Sequence, residues 1–101
     1  MKIIETKLFK RKRDNIVYYI ASDNKTAAIK FAKKLKIAVN NLVTFPYKYR
    51  KSYYYDNENI RDMIFKSYTI IYKINEQKNI IEILEIFNQN LPVTKEYNEN
   101  N

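Results

Sequence analysis

Glycine, cysteine and histidine are all missing from the 101 residues, and tryptophan is missing too. Without cysteine or histidine, the chain has no thiol nucleophile, no imidazole base and none of the usual zinc ligand sets. Without glycine, it can build neither a P-loop nor a dinucleotide-binding fingerprint. No cofactor or metal is expected. Turns that need positive φ must fall on other residues, and the asparagines Asn57, Asn75, Asn79, Asn88 and Asn90 tolerate that region best after glycine. They read as turn formers rather than ligands. Long apolar runs are lacking as well: none approaches the ~18 residues of a membrane span. The opening MKIIETKLFKRKR turns charged before an apolar signal region of about 7 residues forms. The chain therefore reads as a soluble, globular, cytoplasmic protein, and the lack of cysteine fits a reducing compartment.

What is present is cationic and unevenly spread. The formal charge is +8. Residues 1–51 hold 14 Lys and Arg against 3 acids, whereas residues 52–101 hold 5 against 8. A basic half favours an anionic partner, either nucleic acid or an acidic protein segment. The competing interpretation is a solvated, lysine-rich helical surface.

The stretch IRDMIFKSYTIIYKINEQKNIIEILEIF organises the rest. Its segments Ile60–Phe65, Tyr68–Ile74 and Ile80–Phe87 are rich in β-branched and aromatic residues, which suits an antiparallel meander. Lys66-Ser67 is short enough for a tight hairpin, and residues 75–79 form a polar loop. Strict alternation places Ile80, Leu84 and Ile86 on one face of the last strand, with Ile81, Ile83 and Phe87 on the other. Both faces are then apolar, and helices can cover only one.

Ahead of this core, MKIIET predicts an edge strand, and Leu8 to Ser22 carries helical spacing that starts with the basic cluster Lys10–Arg13. Positive charge at a helix start costs about 0.3–1 kcal/mol per exposed group, which marks the cluster as a functional candidate. Asn24 or Thr26 can cap a second helix, in which Ala28, Phe31, Leu35, Ala38, Leu42 and Phe45 form one continuous apolar stripe as far as Pro46. Such a stripe predicts core packing. The two helices should pair and lie on one face of the sheet. Next, PYKYRKSYYYDNEN interleaves Tyr47, Tyr49, Tyr53, Tyr54 and Tyr55 with Lys48, Arg50 and Lys51. The mixture suits base stacking with phosphate contact; it also suits a strand over about Arg50–Tyr55 with half-buried tyrosines. After Phe87 periodicity is lost, and residues 93–101 read as a flexible tail on a single domain spanning residues 1–92.

Strand, helix, helix and four strands in that order, together with IVYYIASDNKTAAIKFAKKLKIAVNNLVTFPYKYR, IRDMIFKSYTIIYKI and IIEILEIFNQN, resemble the RelE/ParE toxin superfamily of type II toxin-antitoxin modules. The likeness covers most of the chain up to Pro92 and is closer to the ParE side, because the two-helix arm is long and the tail short. It implies an α+β fold of type β-α-α-β-β-β-β with a helical hairpin on one face of an antiparallel sheet. It also implies a plasmid-stabilisation-type toxin neutralised by a cognate antitoxin. In the ParE branch the target is DNA gyrase; in the RelE branch the toxin cleaves mRNA on the ribosome. Arginines of the RelE branch correspond here to Thr69 and the neighbourhood of Asn90, which disfavours nuclease activity. The candidates for target contact are Arg50, Lys51, Tyr53, Arg61 and Lys66, with an ion pair to Asp62, Glu82 or Glu85 as the alternative role for Arg61. The resemblance further predicts that the sheet face away from the helices stays apolar and open until an antitoxin segment, or a second copy in a homodimer, docks there.

Overall fold

Two short polar side chains set where the helices begin in this computed structural model, which describes residues 1–88. After strand β1 (Lys2–Glu5), the Thr6 hydroxyl oxygen accepts the Phe9 N–H at 3.1 Å and opens helix α1 (Lys7–Asp23). The same hydroxyl can donate to the carbonyls of Ile83 (2.9 Å) or Leu84 (3.0 Å), so the cap also ties the helix start to the last strand. Asn24 serves two helices. Its N–H closes α1 on the Ile20 carbonyl at 2.8 Å, and its side chain accepts the Ala27 N–H at 3.0 Å to open α2 (Lys25–Asn40). The expected helical pair is present.

Along α2 the predicted stripe is buried at Ala28, Phe31, Leu35 and, just past the helix, Leu42, with Val39 alongside. Phe45 departs from it and is 68% exposed. The reason is local: α2 ends at Asn40 and tightens into a 3₁₀ turn, Asn41–Val43. With about 3.0 residues per turn instead of 3.6, the angular register is lost before position 45.

The remaining strands are β2 (Arg50–Lys51), β3 (Ile60–Phe65), β4 (Tyr68–Asn75) and β5 (Ile80–Asn88), in the spatial order β1-β5-β4-β3-β2. Strands β2 to β5 are antiparallel, as predicted, whereas β1 runs parallel to β5 in the register Ile3↔Ile81. A parallel neighbour needs a long connection, and here it runs through the helical hairpin and then β2, β3 and β4 before reaching β5. Two residues take positive φ among those described. Asn79 (56°) is one of the predicted asparagines, while Lys66 (54°) occupies the tight hairpin where a glycine would normally sit. Asn57 and Asn75 shape turns in another way, by accepting the N–H groups of Asn59 and Lys78 at 2.8 and 3.0 Å.

The predicted second strand is shorter than Arg50–Tyr55. Ser52 N–H still reaches the Ile60 carbonyl at 2.8 Å, but the next donors are diverted to side chains: Tyr53 N–H to Asp62 (3.0 Å) and Tyr54 N–H to the Ser52 hydroxyl (3.1 Å). The chain leaves the ladder at that point.

Core residues fall into two clusters. On the helix side, Phe9, Phe31, Leu35, Val39 and Leu42 meet Met63, Ile70, Tyr72, Ile74, Ile81, Ile83 and Ile86. On the other side, Ile60, Ile71, Leu84 and Phe87 form a smaller cluster. Strict alternation therefore fails in β5. A register shift opposite Ile71/Tyr72 pairs Tyr72 with Ile83 but Ile71 with Glu85, inserting one residue and reversing the parity beyond it. Ile86 thus joins Ile81 and Ile83, and Phe87 crosses to the opposite face. That opposite face does not stand open as predicted: Ile60, Ile71 and Leu84 are 0% exposed. Tyr54 and Tyr55 pack on the cluster, with the Tyr54 ring edge-on to Phe87 at 5.3 Å. The tyrosine-rich segment folds back as a cover because its diverted hydrogen bonds turn it across the sheet.

Candidate functional site

Four of the five predicted contact residues gather at the β2 edge of the sheet. Pairing sets Arg50 opposite Asp62 and Lys51 opposite Arg61, and alternation sends the two pairs to opposite faces. Lys66 lies at the far end of β3, about 16 Å along the strand from Arg61 at ~3.3 Å per residue. The five therefore do not converge on one point. They mark two ends of one edge.

Each has a distinct local role. Asp62, almost fully buried, anchors the first group: its Oδ2 accepts the Tyr53 N–H at 3.0 Å and Arg50 Nη2 at 3.4 Å. The Arg50 guanidinium lies 3.7 Å from the centre of the Tyr53 ring, close enough for a favourable cation–π contact. Tyr53 itself is 76% exposed, and Lys51 pairs with Asp56 at 3.6 Å. An exposed aromatic ring is thus presented with its cation already stacked on it.

Arg61 is engaged differently from the predicted ion pair with Asp62, Glu82 or Glu85. Its Nε donates to the Glu58 carbonyl at 2.9 Å and its Nη1 to the Tyr49 carbonyl at 3.1 Å, while the guanidinium sits 5.0 Å from the Tyr47 ring. These contacts bind residues 44–49 to residues 57–59. Tyr72 holds the same loop from below, because its hydroxyl donates to the Pro46 carbonyl at 2.6 Å. Burial pushes the Tyr72 phenol well above its ordinary pKa of about 10. The Tyr47 hydroxyl donates to Glu76 Oε1 at 3.2 Å and lies 3.3 Å from Asn59 Oδ1, and its pKa is also raised, first by desolvation and then by Glu76.

The basic cluster at the start of α1 is partly structural. Lys12 pairs with the buried Glu85, and Arg13 bridges to Glu5 at 2.9 Å and Asp14 at 3.1 Å. Its unfavourable placement at a helix start is offset by sheet carboxylates. Thr69, which stands where the resemblance puts a RelE-branch arginine, is almost fully buried on β4. Asn90, the second such position, and the predicted tail of residues 93–101 lie outside the described residues. Among the described residues, no group of three or more acidic side chains is placed to hold a metal ion, and no helix is long and apolar enough to cross a membrane.

Residues 3–90 match the model of the ParE toxin of type II toxin-antitoxin systems, parDE. The chain belongs to the ParE toxin family. Solved structures agree with this at the level of fold. A chain of the chromosomal ParDE toxin-antitoxin system from P. aeruginosa matches with a TM-score of 0.70 at 18% identity, over 87% of this chain and 95% of that one. No curated protein matches. For a ParE-family toxin the layout is informative: exposed cations and rings are mounted on a sheet edge and a hairpin tip, where buried Asp62 braces Arg50 and Tyr53, while buried Glu85 ties Lys12 of α1 to the sheet.

The sequence missed Asp62 as an organiser and Tyr72 as a loop anchor. Asp62 shares its face of β3 with Ile60 and Ile64, a lone acid among apolar residues, and that pattern itself calls for a partner. Tyr72 had no comparable signal, since its partner is a backbone carbonyl 26 residues away.

Proposed function

We propose that this ParE-family toxin arrests growth by binding DNA gyrase in the cytoplasm and that a cognate antitoxin neutralises it, with residues 1–92 acting as a single toxin domain. The family match across residues 3–90 carries the proposal. Arg50, Lys51 and Tyr53 at the sheet edge and Lys66 at the hairpin tip supply the target contacts, and Arg61 contributes by fixing the loop beside them. These exposed groups suit recognition of a broad protein surface, where aromatic and arginine anchors carry most of the binding energy. The burial of Thr69 supports binding over RNA cleavage, which needs cationic groups positioned on the reacting phosphate.

Expression in bacteria, with and without the adjacent reading frame, tests this. Growth arrest relieved by the neighbour, with an SOS response and intact message, supports the proposal. Cleavage within translated codons, read by primer extension, would instead identify a ribosome-dependent interferase. Nucleic-acid binding that weakens steeply with salt would point to a phosphate-binding role.

A further inference from the structure

The loop after α2 displays a bare aromatic ring on a firmly held backbone. Phe45 is 68% exposed, yet its surroundings are fastened at every turn. Thr44 N–H donates to the Asn41 carbonyl and Lys48 N–H to the Phe45 carbonyl, both at 3.1 Å. Tyr72 holds Pro46, Arg61 holds Tyr49, and Tyr47 is held by Glu76. None of these contacts buries Phe45. A phenylalanine left in water on a pinned loop forgoes the burial that normally recommends the residue, while the pinning removes the ordering cost a partner would otherwise meet.

Shallow clefts flank the ring, one of about 350 Å³ reaching back to Ala38 and Leu42, and one of about 540 Å³ running over Pro46 and Tyr47. Thr44, Phe45 and Lys48 border both. In an extended segment, side chains two residues apart are separated by about 7 Å, enough to straddle a phenyl ring. Lys48 sets the charge of the complement. Neither cleft is lined by an acidic side chain, and the nearest carboxylate in the loop's network, Glu76, is engaged by Tyr47.

We infer that Phe45 and Lys48 form the anchor for an acidic, amphipathic segment of the antitoxin, with apolar side chains seated on either side of Phe45 and a carboxylate on Lys48. This rests on the toxin-antitoxin reading above and adds to it a specific docking surface, on the loop next to the edge assigned to the target but using none of Arg50, Lys51, Tyr53 and Lys66.

The test uses the full chain and, as probe, the polypeptide encoded by the adjacent reading frame. Affinity is measured by calorimetry for wild type, Phe45→Ser and Lys48→Glu, with circular dichroism confirming that each variant folds. Growth arrest is scored with and without the probe. Phe45→Ser is expected to weaken binding by about 30-fold or more and Lys48→Glu by about 10-fold, both variants still arresting growth but escaping rescue. Unchanged affinity in both variants overturns the inference while leaving the toxin reading intact. Loss of growth arrest in folded Phe45→Ser with unchanged affinity also overturns it, by assigning the loop to the target. A wild-type chain that neither arrests growth nor binds the probe removes the underlying reading and the inference with it.

Discussion

Replacing Tyr72 by phenylalanine should destabilise the protein at neutral pH and stabilise it in strong alkali. The ring is fully buried and stays in place, so no cavity forms; what is lost is the 2.6 Å hydrogen bond to Pro46. A net loss of about 1 kcal/mol is expected at pH 7. The alkaline behaviour follows from burial. The folded-state pKa of Tyr72 is raised above its unfolded value of about 10, so its stabilising contribution is complete below pH 10 and is lost as pH rises toward the folded pKa. Above pH 10 the unfolded chain gives up this proton and the folded chain keeps it, which costs the wild type about 1.4 kcal/mol per pH unit. Tyr72→Phe escapes that cost. Contributions from the other tyrosines, Tyr47 included, cancel in the comparison. The two stability curves should cross between about pH 10 and 11. Urea titrations of both proteins from pH 7 to 11 measure this, and a stability difference that stays constant with pH would refute the burial argument.

Lys66→Asn should stabilise the fold by up to about 1 kcal/mol, because asparagine accepts the positive φ of the hairpin more readily than lysine; denaturant midpoints decide it. Asn24→Ala removes the cap of α2 and should cost about 1 kcal/mol by the same assay. Asp62→Ala releases both Arg50 and the Tyr53 N–H, with an expected loss of about 1–3 kcal/mol and faster amide exchange at Tyr53. Leu35→Ala, in the middle of the buried stripe, should cost about 2–5 kcal/mol in thermal or chemical unfolding.

The periodic parts of this fold could be read from residue pattern alone. Ala28, Phe31 and Leu35 define a helix stripe that the core confirms, and Ile60–Phe65 and its two successors are strands within a residue of their expected ends. Departures came wherever one local event interrupts a period. The 3₁₀ turn at Asn41 releases Phe45 from the stripe, the insertion opposite Ile71/Tyr72 swaps the faces of Ile86 and Phe87, and Asp62 draws Tyr53 out of the ladder. Each depends on a backbone hydrogen bond or a distant partner that residue type does not announce. The open sheet face was misjudged for the same reason, since covering it requires knowing that Tyr54 and Tyr55 turn back onto Ile60, Ile71, Leu84 and Phe87. Four of the five residues singled out from the sequence share one sheet edge, but their separate contacts there were not legible. Arg61, singled out for its charge, spends its donors on the carbonyls of Glu58 and Tyr49. Family membership does not depend on any of these details, because it follows from the match over residues 3–90.

The most direct check on the proposed activity is a supercoiling assay with purified bacterial DNA gyrase, ATP and relaxed plasmid, titrated with the purified chain. Supercoiling should fall as the chain approaches stoichiometry with gyrase, and the adjacent reading frame's product should restore it. Undiminished supercoiling at a large excess of folded chain would contradict the account.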